Sequence, residues 1–203
     1  MEQFTPDYYE RVVLFGRHVR VEPLGPAHVA DLYDAAQDDD IWRWLGARRP
    51  PDQVAMVAIV AAALDEQARG ERVPFALVER ASGRAVGSTS FLDIAPEHRR
   101  LEIGWTWLGR PWWRTAVNTE AKLLLLRHCF ERLGALRVAL KTDHVNLRSQ
   151  AAIERLGAVR EGVLRHHHVR PDGSLRDTVY YSVLAAEWPE VERRLGDALD
   201  RVA

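Results

Sequence analysis

The sequence predicts a mixed α+β domain, in which helices flank a largely antiparallel sheet that contains one parallel crossover. Helical patterns dominate residues 28–69, and three successive β segments follow between residues 74 and 108. From residue 101 onward, strand and helix patterns alternate, as a crossover between parallel strands requires. The chain of 203 residues contains no internal repeat and no linker. We therefore expect one domain over residues 1–203, with its core at about residues 12–188.

The N-terminal third is predicted to contain one strand and two helices. The first segment alternates well enough to form a strand, with a turn at Gly16. The acidic run at residues 38–40 ends the first helix, and Gly70 closes the second. The predicted elements are a strand at residues 12–24, a helix at residues 28–37, a short aromatic segment at residues 41–45 and a helix at residues 52–69.

The remainder of the chain is predicted to supply most of the sheet. Ser82 and Gly83 form a hairpin turn, while Gly134 and Gly157 each end a helix. The last helix is charged, and we expect it to pack loosely on the surface. The predicted elements are strands at residues 74–80, 85–94 and 99–108, a helix at 119–133, a strand at 135–142, a helix at 146–156, strands at 159–169 and 177–184 around a turn at 171–173, and a helix at 187–202.

The composition excludes several classes of partner. The 28 basic and 29 acidic side chains give a net charge of -1, so the basic excess of a nucleic-acid-binding surface is missing. The longest apolar run, residues 55–64, is too short to cross a bilayer. The single cysteine, Cys129, lies in an apolar helix and excludes a disulfide within the chain. We expect a cytoplasmic protein without nucleic-acid or membrane partners.

The segment WWRTAVNTEAKLLLLR, residues 112–127, is the most informative stretch of the chain. Asn118 and Thr119 are helix-capping residue types, and Glu120 is predicted to lie in the first turn, where a negative charge suits the helix dipole. A buried strand at residues 101–109 precedes it. A strand, a turn and a capped helix leave free backbone N–H groups that suit a phosphate or pyrophosphate. An ordinary strand-to-helix connection is the alternative that this stretch leaves open.

A second motif makes the pattern more specific. Asn146 and Ser149 stand three residues apart, and a Leu156-Gly157 stop and the Arg-Glu-Gly run at 160–162 follow. With the segments VRVEPLGPAHVADLY, VGSTSFLDI, LEIGWTWL, NTEAKLLLLRHCFE and DGSLRDTVYYSVLAAEW, the chain resembles the GNAT superfamily of acyl-CoA-dependent N-acyltransferases. The resemblance is nearest to the RimJ/RimL branch of ribosomal-protein and small-amine N-acetyltransferases. It implies the GNAT fold, acetyl-CoA as cosubstrate and a primary amine as acceptor.

The resemblance also implies where acetyl-CoA would bind. In the family, the central parallel strands splay apart and the pantetheine arm lies in the gap, where it would face the backbone of Thr106 and Leu108. Asn146 would bridge to the pantetheine or hold the local loop, and it is equally suited to cap its helix. The pyrophosphate would lie on the backbone amides of Arg114, Thr115, Ala116, Val117, Asn118 and Thr119.

The turn before this helix departs from the family pattern. In the W-G-K-G-x-A-T-E-A loop of this branch, both glycines are replaced, by Arg114 and Ala116. Ala116 is a mild change if its φ angle is negative and a costly one if φ is positive. Arg114 could compensate by pairing with a phosphate oxygen. The alternative is that Arg114 points to solvent and CoA binds weakly.

Acyl transfer to an amine requires a proton acceptor for the amine and a proton donor for the leaving thiolate. The resemblance implies Ser149 as the donor, one helical turn after Asn146 and on the same face. Glu102 borders the gap in which CoA would lie, and His168 occupies the place of a carboxylate in RimL-like enzymes. Either could be the base, with Asp93 as a third candidate and as a residue that contacts the substrate.

Trp42 and Trp44, together with the acidic run at residues 38–40, could attract a cationic amine, or they could simply anchor the core. Three consecutive histidines, residues 166–168, are not expected to bind a metal, because adjacent side chains of a strand point to opposite faces. A GNAT-fold protein that binds acyl-CoA without catalysis, as a sensor or structural partner, is the alternative function. The sequence leaves open whether the protein is a monomer or a homodimer.

Overall fold

The computed structural model describes residues 6–170 and 172–201, which form eight strands and six α-helices. The strands are β1 (Leu14–Phe15), β2 (Val19–Pro23), β3 (Arg72–Glu79), β4 (Ala85–Ala95), β5 (Arg100–Leu108), β6 (Arg137–Asp143), β7 (Val159–Val169) and β8 (Leu175–Leu184). The helices are α1 (Val29–Ala35), α2 (Asp39–Trp42), α3 (Gln53–Ala68), α4 (Ala116–Arg127), α5 (Leu147–Leu156) and α6 (Trp188–Asp200). A π-helical turn, His128–Arg132, continues α4.

All eight strands lie in one sheet, in the order β1-β2-β3-β4-β5-β6-β8-β7. Neighbouring strands are antiparallel except β5 and β6. These two parallel strands pair over only three positions, the last of which joins Glu102 to Ala139. Beyond that point β5 stays with β4, and β6 stays with β8, so a gap opens between β5 and β6 that we call the splay. The predicted fold class, including the parallel splayed strands, is confirmed.

Two hydrophobic cores cover the sheet unequally. The first lies between one face of the sheet and the helices α4, α5 and α6, and it draws side chains from both halves of the sheet. The second packs α1 and α3 against the other face, and its strand residues come from β3, β4 and the end of β5. Within the described residues, β6, β7 and β8 contribute none of its members. The second face of the C-terminal half of the sheet therefore carries no helical layer.

Helix α4 begins three residues earlier than predicted. Its N-cap is Thr115, whose hydroxyl accepts a hydrogen bond from the amide of Val117 at 3.3 Å. Asn118 and Thr119 therefore lie inside the first turn and do not cap the helix, which corrects the prediction. Glu120 consequently falls in the second turn rather than the first.

Glu120 anchors the β1–β2 hairpin instead of neutralising a helix end. Its buried carboxylate accepts hydrogen bonds from three consecutive backbone amides, those of Arg17, His18 and Val19, at 2.6–2.8 Å. A Cβ atom added to Gly16 would lie 2.3 Å from Glu120 Oε2. The glycine that was predicted to mark a turn is therefore needed so that the carboxylate can approach the backbone.

Helix α6 packs more tightly than the sequence suggested. Trp188, Val191, Leu195 and Leu199 are all buried in the first core, on one helical stripe. The prediction of a loosely packed helix was wrong because the charges between these positions concealed the apolar stripe.

Three further predicted segments differ from the structure or lie partly outside it. Residues 12–24 form a hairpin rather than one strand, and residues 39–42 form a short helix capped by Asp38. The predicted turn at residues 171–173 includes Pro171, which lies outside the described residues.

Candidate active site

The splay begins at an ion pair between a buried carboxylate and a half-buried lysine. Glu102 is only 2% exposed, and its carboxylate lies 2.8 Å from the Nζ atom of Lys141 on β6. Ala139 pairs with Glu102, and Lys141, two residues further along β6, projects from the same face. Burial raises the pKa of the Glu102 carboxyl, and the ammonium of Lys141 opposes that rise only in part. The sheet thus places a buried carboxyl group with a raised pKa where β5 and β6 separate.

A β-bulge shapes the β5 side of the splay. Trp105 and Thr106 together oppose the single residue Thr89 on β4, and Trp105 adopts a left-handed conformation with φ of 49°. Such a conformation costs a non-glycine residue about 1–3 kcal/mol, so the surroundings must hold it. The hydroxyl of Thr106 bonds to that of Thr89 at 2.7 Å and accepts from Lys122 Nζ at 2.8 Å. These contacts fix the backbone that was expected to face the pantetheine, at Thr106 and Leu108.

Lys122 is a buried lysine without an acidic partner in hydrogen-bond contact. It lies on α4 with 5% of its surface exposed, and its Nζ atom donates to the Thr106 hydroxyl. Burial lowers the pKa of its ammonium to about 7, although the negative charge of Glu102 acts in the opposite direction. Sequence analysis did not single out Lys122, because it stands in a run of helix-forming residues.

The turn that leads into α4, residues 109–115, shows what the replacement of the two glycines costs the backbone. Ala116 is the first residue of α4, so its φ is negative and alanine is a mild replacement. Arg114 has φ of 63°, so the backbone strain falls on this residue. The residues from Arg114 to Thr119 that were expected to hold a pyrophosphate form the end of this turn and the first turn of α4. One of their amides, that of Val117, is already bonded to Thr115.

Arginines surround this turn. Two guanidinium groups lie over the ring of Trp113, that of Arg148 at 3.7 Å and that of Arg110 at 4.6 Å from the ring centroid. Arg148 belongs to the first turn of α5, so its stacking on Trp113 joins the two helix N-termini across the end of the splay. Sequence analysis missed Arg110 and Arg148, although Arg148 stands inside the Asn146 to Ser149 motif. They add positive charge beside the amides of α4.

The Asn146 to Ser149 motif is organised around the N-terminus of α5. The side-chain oxygen of Asn146 accepts a hydrogen bond from the backbone N–H of Ser149 at 3.1 Å. The backbone N–H of Asn146 donates to the carbonyl of Asp143 at 3.0 Å. Asn146 is therefore the N-cap, as the sequence allowed, and it also holds the β6–α5 loop. Ser149 is half-buried on this first turn. The role of its hydroxyl as proton donor to the leaving thiolate stays a prediction.

The other candidates for the base lie in different surroundings. His168 is exposed on β7, and burial together with the charges of His167, Arg176 and Lys141 lowers the pKa of its imidazolium. Asp93 is 61% exposed and forms an ion pair with Arg100. Of the three candidates, Glu102 alone is buried at the splay.

The residues proposed for an acceptor pocket are largely engaged elsewhere. Trp42 is 6% exposed, packs against Trp107 with ring centroids 5.5 Å apart, and donates its indole N–H to the carbonyl of Ala36 at 2.9 Å. It therefore anchors the second core, the alternative that the sequence had left open. Trp44 is half-buried and lies under the guanidinium of Arg43. The acidic residues 38–40 are paired with arginines, so they do not form a free anionic patch.

The three consecutive histidines do not alternate as a regular strand would require. His166 has φ of 51° and lies in a bulge of β7, and the rings of His167 and His168 are 4.2 Å apart. The argument from alternation therefore fails at this position. Across residues 6–170 and 172–201, the structure contains no group of three or more side chains arranged to hold a metal ion.

Comparisons with known proteins agree on the family and the fold. A family model described as an acetyltransferase (GNAT) domain matches residues 18–159. A GCN5-related N-acetyltransferase from Brucella melitensis is 30% identical, with a TM-score of 0.90 over 98% of this chain and 90% of that one. The structure of Mycobacterium smegmatis RimJ in complex with CoA-disulfide has a TM-score of 0.80 at 20% identity, over 96% of this chain and 97% of that one, and supports the fold.

A curated relative adds a name from the same branch. The Bacillus subtilis (strain 168) protein named "Putative ribosomal N-acetyltransferase YdaF" is 33% identical over 106 residues. The match covers 52% of this chain and 57% of YdaF, so this chain spans a little over half the length of that relative. None of the helices in the described part of the chain combines the length and apolar character needed to cross a membrane.

Proposed function

We propose that this chain, which belongs to the GNAT acetyltransferase family, is of the RimJ/RimL-like branch and transfers acetyl from acetyl-CoA to a primary amine by direct attack in a ternary complex. The acceptor is a protein N-terminus or a small amine. The observation that carries the proposal is the buried carboxylate of Glu102, paired with Lys141 at the point where β5 and β6 separate. A proton acceptor there lies beside the backbone that would hold the thioester.

In this proposal the cosubstrate lies along the splay. The backbone of Thr106 and Leu108 faces the pantetheine, and the amides from Arg114 to Thr119 face the pyrophosphate. Arg114 and Arg148 supply charge beside those amides, where glycines are missing. Guanidinium groups suit phosphate oxygens because their donors form a planar fork. Asn146 holds the β6–α5 loop that borders the same gap.

The chemistry requires three proton transfers. Glu102 accepts a proton from the substrate ammonium, directly or through a water molecule, and the freed amine attacks the thioester carbonyl carbon. The C–S bond of the resulting tetrahedral intermediate breaks, and Ser149 donates its hydroxyl proton to the thiolate. The second proton of the attacking nitrogen passes through water to the Ser149 oxygen, which restores the hydroxyl and leaves a neutral amide. General acid–base transfer of this kind contributes on the order of 100-fold to 10,000-fold in rate. The raised pKa of Glu102 favours proton uptake nearer neutrality than an ordinary glutamate would allow.

His168 is the second candidate for the base. The lowered pKa of its imidazolium keeps the ring neutral near pH 7, the form that accepts a proton. Its exposure on β7 gives it easier access to solvent but less control over the direction of its nitrogen atoms. Replacing Glu102 and His168 separately distinguishes the two.

A second function has one observation in its favour. Arg114 occupies a left-handed position where the branch has a glycine, so a protein that binds acyl-CoA weakly and does not catalyse transfer is the alternative. Thermal denaturation with increasing acetyl-CoA separates the two functions from a protein that binds nothing, because a ligand of the folded state raises the melting temperature. An amine panel with detection of released thiol then separates the enzyme from the sensor.

The variants Ser149→Ala and Glu102→Gln test the assigned roles. We expect both to release thiol on the order of 100-fold more slowly than the parent protein, with the melting-temperature shift by acetyl-CoA intact. Unchanged turnover in both would remove these roles, and absence of any melting shift at millimolar acetyl-CoA would remove the enzyme function itself.

A further inference from the structure

Three buried polar atoms without hydrogen-bond partners lie together on the β7–β8 hairpin. They are Nε of Arg176, Oγ1 of Thr178 and Nδ1 of His167. Thr178 is entirely buried, while the Arg176 side chain retains 17% of its surface. Buried polar groups are almost always paired, so a cluster of unpaired ones calls for an explanation such as a missing ligand. The fourth such atom among the described residues, Tyr8 Oη, belongs to a different part of the fold.

The register of the strands places this cluster on the same face as Glu102. Lys141 pairs with Tyr180 on β8, so the two side chains project from one face of the sheet. Arg176 and Thr178 precede Tyr180 by four and two residues and share that face. The ring of His167 lies 5.8 Å from that of Tyr180. We call the face formed by Lys141, Arg176, Thr178 and Tyr180 the polar face.

One guanidinium on this side has no carboxylate in hydrogen-bond contact. Arg170 binds both carboxylate oxygens of Asp143, at 2.8 Å and 2.9 Å. Lys141 pairs with Glu102 at 2.8 Å. The Nε atom of Arg176 lies 3.9 Å from Asp143 Oδ2, close enough for charge attraction but beyond hydrogen-bond distance, and its N–H donates to no acceptor within the described residues. The Nε–H of Arg176 is therefore left for a further acceptor.

We propose that the acceptor is a small amine that also carries a carboxylate, such as an amino acid. Its carboxylate binds Arg176 and Thr178 on the polar face, and its amine faces Glu102. An ionised carboxylate accepts hydrogen bonds but donates none, which matches a guanidinium N–H and a hydroxyl that both lack acceptors. This inference rests on the proposed function and names its substrate class. The carboxylate itself is unchanged when the amine nitrogen bonds to the acetyl carbon and the C–S bond breaks.

The same charges argue against other amines. A polyamine would bring further positive charge to a face that already carries a guanidinium without a hydrogen-bonded carboxylate. A protein N-terminus offers a neutral amide in place of the carboxylate, so the Arg176 guanidinium would gain no charged acceptor. The acidic residues 38–40, predicted to attract a cationic amine, pair with Arg49 and Arg110.

Matched acceptors test the inference. Thiol release from acetyl-CoA is measured with alanine and ethylamine, lysine and cadaverine, and phenylalanine and phenethylamine, together with each amino acid's amide and a peptide with a free N-terminus. We expect kcat/KM for the amino acids to exceed that of the carboxylate-free amines by on the order of 10-fold to 100-fold. Equal or faster turnover of the decarboxylated amines, the amides or the peptide would overturn the inference while leaving the proposed function intact.

Variants of the polar face test where the carboxylate of the substrate binds. Arg176→Gln is expected to abolish the advantage of the amino acids, and Thr178→Val to raise their KM with kcat unchanged. Arg165→Gln removes the same charge from an exposed position on β7 and is expected to retain the advantage. An advantage that survives in both Arg176→Gln and Thr178→Val overturns the assignment.

If no amine is turned over, the proposed function is wrong, and a binding measurement then tests the inference by itself. Calorimetry of the CoA-loaded protein measures the affinity for the amino acids and for the same amines lacking the carboxylate. Binding that is lost in Arg176→Gln supports the carboxylate site, and absence of binding overturns it.

Discussion

The two halves of the sheet are built for different purposes. On β3 and β4 both faces are covered, one by the core under α4 and α6 and the other by the core under α1 and α3. On β6 and β8 one face joins the first core, while the other carries charged and hydroxyl side chains such as Lys141 and Thr178. The pairing between β5 and β6 stops after three positions, where the halves meet. Stability is concentrated in one half, and the groups available for chemistry in the other.

The largest expected effect is a loss of stability in the half of the sheet that is covered on both faces, β3 and β4. Phe75 on β3 is fully buried and packs edge-on against Phe91, with ring centroids 5.1 Å apart. Phe75→Ala should lower the free energy of unfolding by about 3–5 kcal/mol, because it opens a cavity in a closed core. Val163→Ala, at a 39% exposed position on β7, should cost much less. Chemical denaturation measures both, and similar losses would contradict the contrast between the halves.

Glycines at two positions sharpen the same comparison. Gly16→Ala would place a methyl group 2.3 Å from Glu120 Oε2 and separate the carboxylate from the hairpin amides. We expect a loss of about 1–3 kcal/mol in the free energy of unfolding. Gly162→Ala on β7 is the matched control, because nothing lies within 4 Å of its added Cβ. If both variants unfold at the same denaturant concentration, the anchoring role of Glu120 is wrong.

Lys122 makes stability depend on pH in a defined direction. Burial lowers the pKa of its ammonium from 10.5 to about 7 in the folded state, so the unfolded chain binds more protons between these values. The free energy of unfolding should therefore rise with pH through this window, by about 2 kcal/mol between about pH 7 and about pH 9. Lys122→Met removes this contribution. A pH-independent difference between the two proteins would show that Lys122 is not buried as a neutral amine.

The smallest effect concerns the polar face. Thr178 is fully buried, and its hydroxyl has no hydrogen-bond partner among the residues that the structure describes. Thr178→Val keeps the shape of the side chain and removes the unpaired group, so it should leave stability unchanged or raise it by up to about 1 kcal/mol. A thermal melt without ligand provides the measurement. Marked destabilisation would mean that the hydroxyl has a structural partner and is not held for a ligand.

Regular patterns allowed much of the fold to be predicted. The alternation of LEIGWTWL and the glycine stops at Gly134 and Gly157 located the strands and helices near the splay. The start of α4 was misplaced because Thr115, Asn118 and Thr119 are all capping types, and only the tertiary position of the turn selects Thr115. Helix α6 was misjudged because its apolar stripe is narrow among many charges.

The site was less predictable because its features depend on contacts between distant segments. Glu102 was singled out from its position on a strand, but its partner Lys141 is 39 residues away in sequence, on β6. The stack of Arg148 on Trp113 joins two helices that no local pattern connects. The bulge at Trp105 carries a non-glycine residue in a left-handed conformation, for which the sequence has no signal. Neighbours in space, rather than in sequence, determine these features.

The pH dependence of kcat/KM for acetyl transfer tests the central claim most directly. With Glu102 as the base, the rate of the parent protein should fall on the acid side at a pKa above the 4.5 of an ordinary glutamate, because burial raises the pKa of this carboxyl. Glu102→Gln should remove that acid limb and most of the activity, while His168→Gln should leave the profile in place. An acid limb that persists in Glu102→Gln and disappears in His168→Gln would contradict the account and transfer the role of base to His168.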